Sequence, residues 1–361
     1  MSEDGRDVLV RKGQGDTKLT KDEFARRVQA RFYDPVFEDA KAEIARIVDL
    51  AWDGYDKSRK SPRTQKAGPG YADQEYELSL DWIAARDAIA AAGRQHENPA
   101  ARPRILLICA SPRSDQTCPG EMSKTFRLTK LAQEVFAKAD TVVDLLDLSV
   151  LASEYGRVIY PYKGCVSTAM PLCHWPCSCY PNHSLGQAGD WMNEIYPRWV
   201  AAHGIMIVTP VHWNQVPSPL KLMMDRLVCA DGGNPDPTST HGKDPAKAKQ
   251  IELAGWDYPR HLKGRAFALV VHADAEGAQS VRHALENWLK GMELVPAGHM
   301  SAVDRYIGYF EPYATSHDAL DADHAVQEEA RNAACALVQQ VHLMRAGRAE
   351  PDAGLTDPRP K

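Results

Sequence analysis

The hydrophobic positions of this chain change rhythm near residue 103. Before it, residues 24–51 place Ile44, Ile47, Val48 and Ala51 at the i, i+3, i+4, i+7 spacing of one helix face, and a second helix is predicted over 80–92. Between them, 57–70 is crowded with basic and turn residues and predicts no regular structure. It reads either as a solvated surface loop or as a phosphate contact for a nicotinamide dinucleotide. From Pro103 onward, short apolar runs alternate with amphipathic stretches. Strands are predicted at 105–109, 141–146, 205–208 and 267–271, with a fifth at 293–300. The intervening stripes, such as Leu128, Leu131, Ala132 and Val135 or Val281, Ala284, Leu285 and Trp288, have the spacing of helices laid against a sheet. A last helix is predicted over 325–344. Strand and helix in alternation over this length predict an α/β fold with a doubly wound parallel sheet.

The organisation that follows is a helical N-terminal extension over 1–102, a sheet domain over 103–345 and a flexible tail over 346–361. Residues 231–262 are too long and too turn-rich for an ordinary helix-to-strand connection. They are expected to form an inserted flap or an oligomer contact.

Composition narrows the class. The 361 residues are 44% hydrophobic and 25% charged, ordinary for a globular protein, and the net charge of −5 gives no chain-wide attraction to nucleic acid or an anionic membrane. No apolar run is long enough to span a bilayer, and Met1 to Asp7 lacks the basic start and apolar middle of a secretory signal. A cytoplasmic protein with no nucleic-acid or membrane partner is expected. No G-x-G-x-x-G follows a strand, and there is no Walker A, H-E-x-x-H or G-x-S-x-G sequence.

The candidate chemistry sits where predicted strands end. After the third strand comes Thr209-Pro210-Val211-His212-Trp213-Asn214, and the chain re-enters a helix near Pro219. After the first comes Ala110-Ser111-Pro112-Arg113, with Ser123-Lys124-Thr125 opening the next helix. Hydroxyls, a guanidinium and helix-start N–H groups together suit a phosphate dianion. Loops at the carboxyl ends of parallel strands are where open α/β sheets bind ligands.

These two segments, in this order, resemble the NADPH- or NADH-dependent FMN reductases, a flavodoxin-like family, over roughly 103–345. The resemblance implies a five-stranded sheet in the order 2-1-3-4-5, FMN as cofactor and NADPH or NADH as co-substrate. It assigns the FMN phosphate to Ser111, Arg113, Ser123, Lys124 and Thr125, and the flavin ring to Pro210, Val211, His212, Trp213 and Asn214. A further flavin-edge contact is implied near Asp274, which the residues alone read equally as a helix N-cap. His212 is the one candidate proton donor, against the plainer reading of a packing residue. Lys221 and Asp225 read as an i, i+4 ion pair. The phosphate loop is longer than the family's, because residues 115–121 intervene.

Four of the eight cysteines, Cys165, Cys173, Cys177 and Cys179, crowd between the second strand and the helix of Met192. They suit either an iron–sulfur cluster or zinc, as in the similar iron–sulfur flavoproteins, or a loop of free thiols. Their C-x7-C-x3-C-x-C spacing is wider than that of those relatives. Cys109, Cys229 and Cys335 are predicted core residues. The expected function is hydride transfer from the nicotinamide to FMN and on to a small acceptor such as flavin or quinone, in a homo-oligomer. The alternative is a non-enzymic flavin carrier or redox sensor, with iron–sulfur or zinc as a second centre, acting on a protein partner.

Overall fold

The computed structural model describes residues 8–165 and 170–348. Along the chain run α1 (Lys21–Gln29), α2 (Lys41–Asp56), β1 (Thr64–Lys66), β2 (Glu77–Ser79), α3 (Leu80–Glu97), β3 (Arg104–Cys109), α4 (Lys124–Lys138) and β4 (Val142–Asp147). Then come α5 (Val150–Ser153), α6 (Met192–Ala201), β5 (Gly204–Pro210), α7 (Ser218–Arg226), α8 (Pro245–Gly255), β6 (Ala266–Ala273), α9 (Ala278–Gly291), β7 (Val295–Pro296), β8 (Ala302–Tyr306), α10 (Ser316–Ala322) and α11 (His324–Arg345).

The chain divides into two units. The sheet unit comprises Asp87–Pro161, Trp191–Asp231 and the described part of Pro259–Lys361. Its strands lie in the order β4-β3-β5-β6, all parallel, and the place beyond β6 is shared by β7 and β8. The central strands are apolar on both faces because both are covered. Ile105, Leu107, Met206, Val208, Ala268 and Val270 pack with Leu128, Ala132 and Phe136 of α4 and with Ala330, Ala333, Leu337 and Val341 of α11. The alternate residues Leu106, Ile108, Ile205, Ile207, Phe267 and Leu269 are equally buried and point to the opposite face, where α9 lies against β6 and β8. At Gly204 a Cβ would come within 2.8 Å of Val341 and 3.1 Å of Leu337, so only glycine lets α11 lie this close to β5.

The predicted fifth strand is displaced. Within 293–300 only Val295 and Pro296 pair with β6, and the longer partner is β8, Ala302–Tyr306, beyond the predicted span. β8 holds one buried residue, Val303, among polar and half-buried neighbours, so it carries no apolar run to detect.

The second unit gathers the described parts of Met1–Arg86 and Tyr162–Asp190 with Gly232–Tyr258. The single helix predicted over 24–51 is two. α1 ends at Gln29 and runs into a 3-10 turn over Ala30–Phe32, and a second 3-10 turn, capped by Asp34, starts at Pro35, whose fixed φ and missing N–H keep the two helices from joining. Phe24, Ile44, Val48 and Tyr55 from α1 and α2 form a small core of their own. The basic loop is not irregular throughout, since β1 pairs antiparallel with β2. Most of the segment expected as an inserted flap or an oligomer contact, Gly232–Tyr258, belongs to this unit. Asp236 accepts from the Ala72 N–H at 2.8 Å and Thr238 from the Asp73 N–H at 3.0 Å, while Trp256 donates to the Gly232 carbonyl at 2.8 Å. The expected C-terminal tail lies outside the described residues from position 349 onward.

Candidate functional site

Three loops at the carboxyl edge of the sheet, with the segment following β8, enclose a cavity of about 300 Å³. Ser111, Arg113, Ser123, Lys124, Thr125, Pro210, His212 and Asp274 line it, so both sequence motifs meet in one place. Val211, Trp213 and Asn214 are outside the lining, and Trp213 is 97% exposed.

The phosphate-like end is built from a strand end and a helix start. Ser123 is the N-cap of α4, its Oγ accepting from the Phe126 N–H at 3.0 Å, which leaves its own O–H free to donate. Ser111 Oγ accepts from the Arg113 N–H at 3.1 Å and likewise keeps its O–H. Lys124 is 8% exposed. Its ammonium donates to the Asp274 carboxylate and to the Ile307 carbonyl, the latter at 3.0 Å. A cation is stable there because Asp274 pairs with it.

Arg113 is held by Glu121, whose backbone carbonyl and carboxylate accept from the guanidinium at 3.1 and 3.4 Å. The guanidinium also lies 4.9 Å from the Tyr313 ring centre. Tyr313 donates its hydroxyl to the same carboxylate, and His317 Nε2 lies 3.8 Å from it. The Tyr313 hydrogen bond, helped by the charges of His317 and Arg113, holds Glu121 below the usual carboxylate range. Glu121 is thus an internal anion on the guanidinium that the sequence assigns to a phosphate.

The ring-loop end is a tight turn. His212 and Gln215 exchange backbone hydrogen bonds at 2.9 Å, and Trp213 and Asn214 between them adopt φ of 51° and 60°. Two successive left-handed residues are the signature of a type I′ turn. Loss of surrounding water lowers the His212 pKa, opposed by the charge of Asp274. Gly277, at φ 94°, permits the close approach of the next loop, for a Cβ there would lie 2.9 Å from Asn214 Cα. Lys221 and Asp225 form the expected ion pair on α7.

His272, two residues before Asp274 at the end of β6, joins the two motifs. Its carbonyl accepts from the Val211 N–H at 3.0 Å, and its Nε2 lies 2.8 Å from Thr125 Oγ1. Burial and the Lys124 charge push its pKa down to about 4, so it is neutral, and its Nδ1 is a buried polar atom without a partner. Glu311, Tyr313, Ser316 and His317, also lining the cavity, were missed because they follow the displaced fifth strand. The sole sequence signal for His272 is a histidine ending an otherwise apolar strand.

The other unit holds the four clustered cysteines, expected either as a metal or iron–sulfur centre or as a loop of free thiols. Among the described residues no three His, Cys, Asp or Glu side chains converge as metal ligands. Cys173 is fixed by its backbone, its carbonyl accepting from the Asn234 N–H at 2.8 Å. Cys165 and Cys179 instead meet each other, Sγ to Sγ at 3.7 Å. Hydrogen bonds from Cys165 and Cys177, together with nearby Lys243 and Lys60, hold Cys179 well below the usual thiol range, whereas Cys165, donating to it, is pushed up. Burial, then the charge of Lys243, lowers Lys60 to about 8. Against a desolvation that would lower it, the charges of Cys179 and Cys165 raise Lys243. Cys109 and Cys229 are buried as predicted, but Cys335 is exposed on α11. Burial pushes the Cys109 thiol up to about 12, which makes it inert.

Residues 103–307 match the family described as NADPH-dependent FMN reductase. No curated protein matches the chain. Among solved structures, RosB with bound 8-demethyl-8-formylriboflavin-5'-phosphate is similar at 13% identity, over 68% of this chain and 82% of that one, with a TM-score of 0.48. The azoreductase AzrA is 14% identical over 64% of this chain and 98% of its own, with a TM-score of 0.36. An FMN-dependent NADH-azoreductase from Bacillus anthracis str. Ames Ancestor, in complex with FMN, is 15% identical over 65% and 99%, with a TM-score of 0.33. The family match spans more than half of the sequence, and by it this chain belongs to the NADPH-dependent FMN reductase family and is an NAD(P)H-dependent flavin oxidoreductase.

Proposed function

We propose that the cavity of the sheet unit holds FMN, with its phosphate at Ser111, Arg113, Ser123, Lys124 and Thr125 and its ring edge at Pro210, His212 and Asp274. The enzyme then passes electrons from NADPH to a small acceptor such as free flavin or a quinone. The observation that carries this reading is the convergence of two distant motifs on one cavity lined by a buried, fixed ammonium. The donor set fits a dianion. Two hydroxyls keep free O–H groups, a helix start supplies N–H groups, and Lys124 and Arg113 supply charge.

Bound FMN supplies a two-electron acceptor that takes hydride from a stacked nicotinamide. The chain's own residues place and polarise. Lys124 and Thr125 fix the tail, and the turn from His212 to Gln215 offers backbone groups without a moving side chain. His212, next to Asp274, is placed to give a proton to an acceptor bound at the open face. The exposed aromatics Tyr306, Tyr309 and Phe310, stacked edge to face beside the cavity segment, are the surface we assign to a homo-oligomer. Among the described residues no helix is long and apolar enough to cross a membrane.

The test is anaerobic mixing of the flavin-loaded protein with NADPH. Rapid bleaching of the oxidised flavin absorption is expected, and bound flavin that ignores NADPH would refute the reductase reading in favour of a carrier. Glu121 sharpens it. Its carboxylate occupies Arg113 and repels a dianion, so Glu121→Gln is expected to tighten FMN binding about fivefold while leaving riboflavin affinity unchanged. Flavin fluorescence titration reads both.

Gly277→Ala tests the ring loop. The new Cβ is strained at φ 94° and collides with Asn214, and relief requires the turn to move. FMN affinity is expected to fall roughly tenfold, with a stability loss of about 1–2 kcal/mol. Unchanged affinity in a folded variant would remove the turn from the flavin site.

A further inference from the structure

The second unit contains a cavity of about 460 Å³ lined by Lys60, Lys243 and His241 and by one carboxylate, Glu77, with Trp82 and Tyr76 among its walls. Ser61 and Ser79, hydrogen-bonded to each other at 3.0 Å, supply hydroxyls. Ser178 also lines it, and the cysteines on either side of Ser178 carry their thiols to the same two lysines. Lys243 hydrogen-bonds the Cys179 sulfur. Cys165 stands 3.7 Å away, van der Waals contact for two sulfurs and close enough for a small side-chain adjustment to bond them. An open cavity with two lysines against one carboxylate, beside a thiol cluster in which Cys179 meets both Cys165 and Cys177, is not explained by packing, which calls for neither charge nor space. The flavin chemistry of the sheet unit makes no use of it.

We propose that Cys179 and Cys165 form a dithiol site that reduces a low-molecular-weight disulfide bearing carboxylates, which Lys60, Lys243 and His241 bind in the adjoining cavity. The Cys179 thiolate attacks one sulfur of the substrate, the substrate S–S bond breaks, and the first thiolate leaves and takes a proton from water. Cys165 then gives up its proton and attacks Cys179 Sγ, and the second thiolate leaves with that proton. Two electrons pass from the pair to the substrate: the protein ends with a Cys165–Cys179 disulfide and the substrate as two thiols. An added dithiol such as dithiothreitol reverses the oxidation of the pair. A carboxylated disulfide fits better than a peroxide, since a peroxide has no need of a large cationic cavity or of a second thiol in contact.

The experiment uses the full chain, reduced with dithiothreitol, desalted without oxygen and mixed with glutathione disulfide. Expected are two glutathione thiols released per chain and one Cys165–Cys179 disulfide in the peptide map. Cys165→Ser should stop at glutathione bound to Cys179, and Lys243→Met should slow the first step about tenfold. Glutathione found only on the exposed Cys118 and Cys335, or a Cys177–Cys179 disulfide with Cys165 left as a thiol, would overturn the assignment. The wild-type map decides the matter by itself should a cysteine variant fail to fold.

Discussion

Replacing Lys124 with methionine is expected to weaken FMN binding about a hundredfold while riboflavin, which has no phosphate, is held nearly as before. Lys124 is 8% exposed, its stem enclosed in the sheet unit and its ammonium fixed between Asp274 and the Ile307 carbonyl. A charge-assisted hydrogen bond from such a group is worth roughly 1.5–3 kcal/mol, and every ~1.4 kcal/mol is tenfold in affinity. Methionine keeps most of the volume, so packing is largely retained. Asp274 is 65% exposed in its side chain and is resolvated when its partner goes. The Ile307 carbonyl alone is left without its donor, a stability cost of about 1–3 kcal/mol. Paired fluorescence titrations with FMN and riboflavin measure the effect. Equal losses for the two ligands would place Lys124 in a structural role away from the phosphate.

The sequence exposed this site because its strands are covered on both faces. Runs such as Ile105 to Cys109 and Ile205 to Val208 stand out from polar surroundings, and polar residues directly after them fall at the carboxyl edge by the geometry of a parallel sheet. Residues joined to the site by long-range contacts have no comparable signal. His272 acts through Thr125 and Val211, far away in sequence, and Tyr313 through Glu121. β8 misleads because its half-buried pattern is no longer apolar, whereas Leu294 is buried where it closes the end of α9, donating to the Leu289 carbonyl at 3.1 Å, and Val295 opens the two-residue β7. β1 is wholly exposed, so hydrophobic period could not detect it. The cysteine spacing pointed to convergence but not to its neighbours: Lys60 and Lys243 come from segments on either side and bring their charge to the thiols of Cys177 and Cys179.

Acid is expected to destabilise the protein well before its carboxylates titrate. His272 and His174 are 4% and 3% exposed, and burial, the largest cause for both, lowers each pKa from 6.5 to about 4. His203, stacked on His96 with ring centres 4.6 Å apart, is lowered in the same direction by burial and by the charge of Arg345. The unfolded chain therefore binds protons that the folded chain refuses between pH 6.5 and 4. Stability is full above 6.5 and is lost as pH falls toward 4. A displacement of this size is worth up to roughly 3 kcal/mol for each fully buried ring. Several such rings amount to a large share of the ~5–15 kcal/mol that holds a domain together. His272 lies in the sheet unit and His174 in the other, so both units should weaken, and urea midpoints measured at pH 7.5, 6 and 5 should fall steeply. His174→Gln, which can still bond Ser178 or Thr240, should flatten the fall. A midpoint unchanged from pH 7.5 to 5 would mean that these rings are solvated or already charged, and the neutral His272 that ties the phosphate loop to the ring loop would lose its basis.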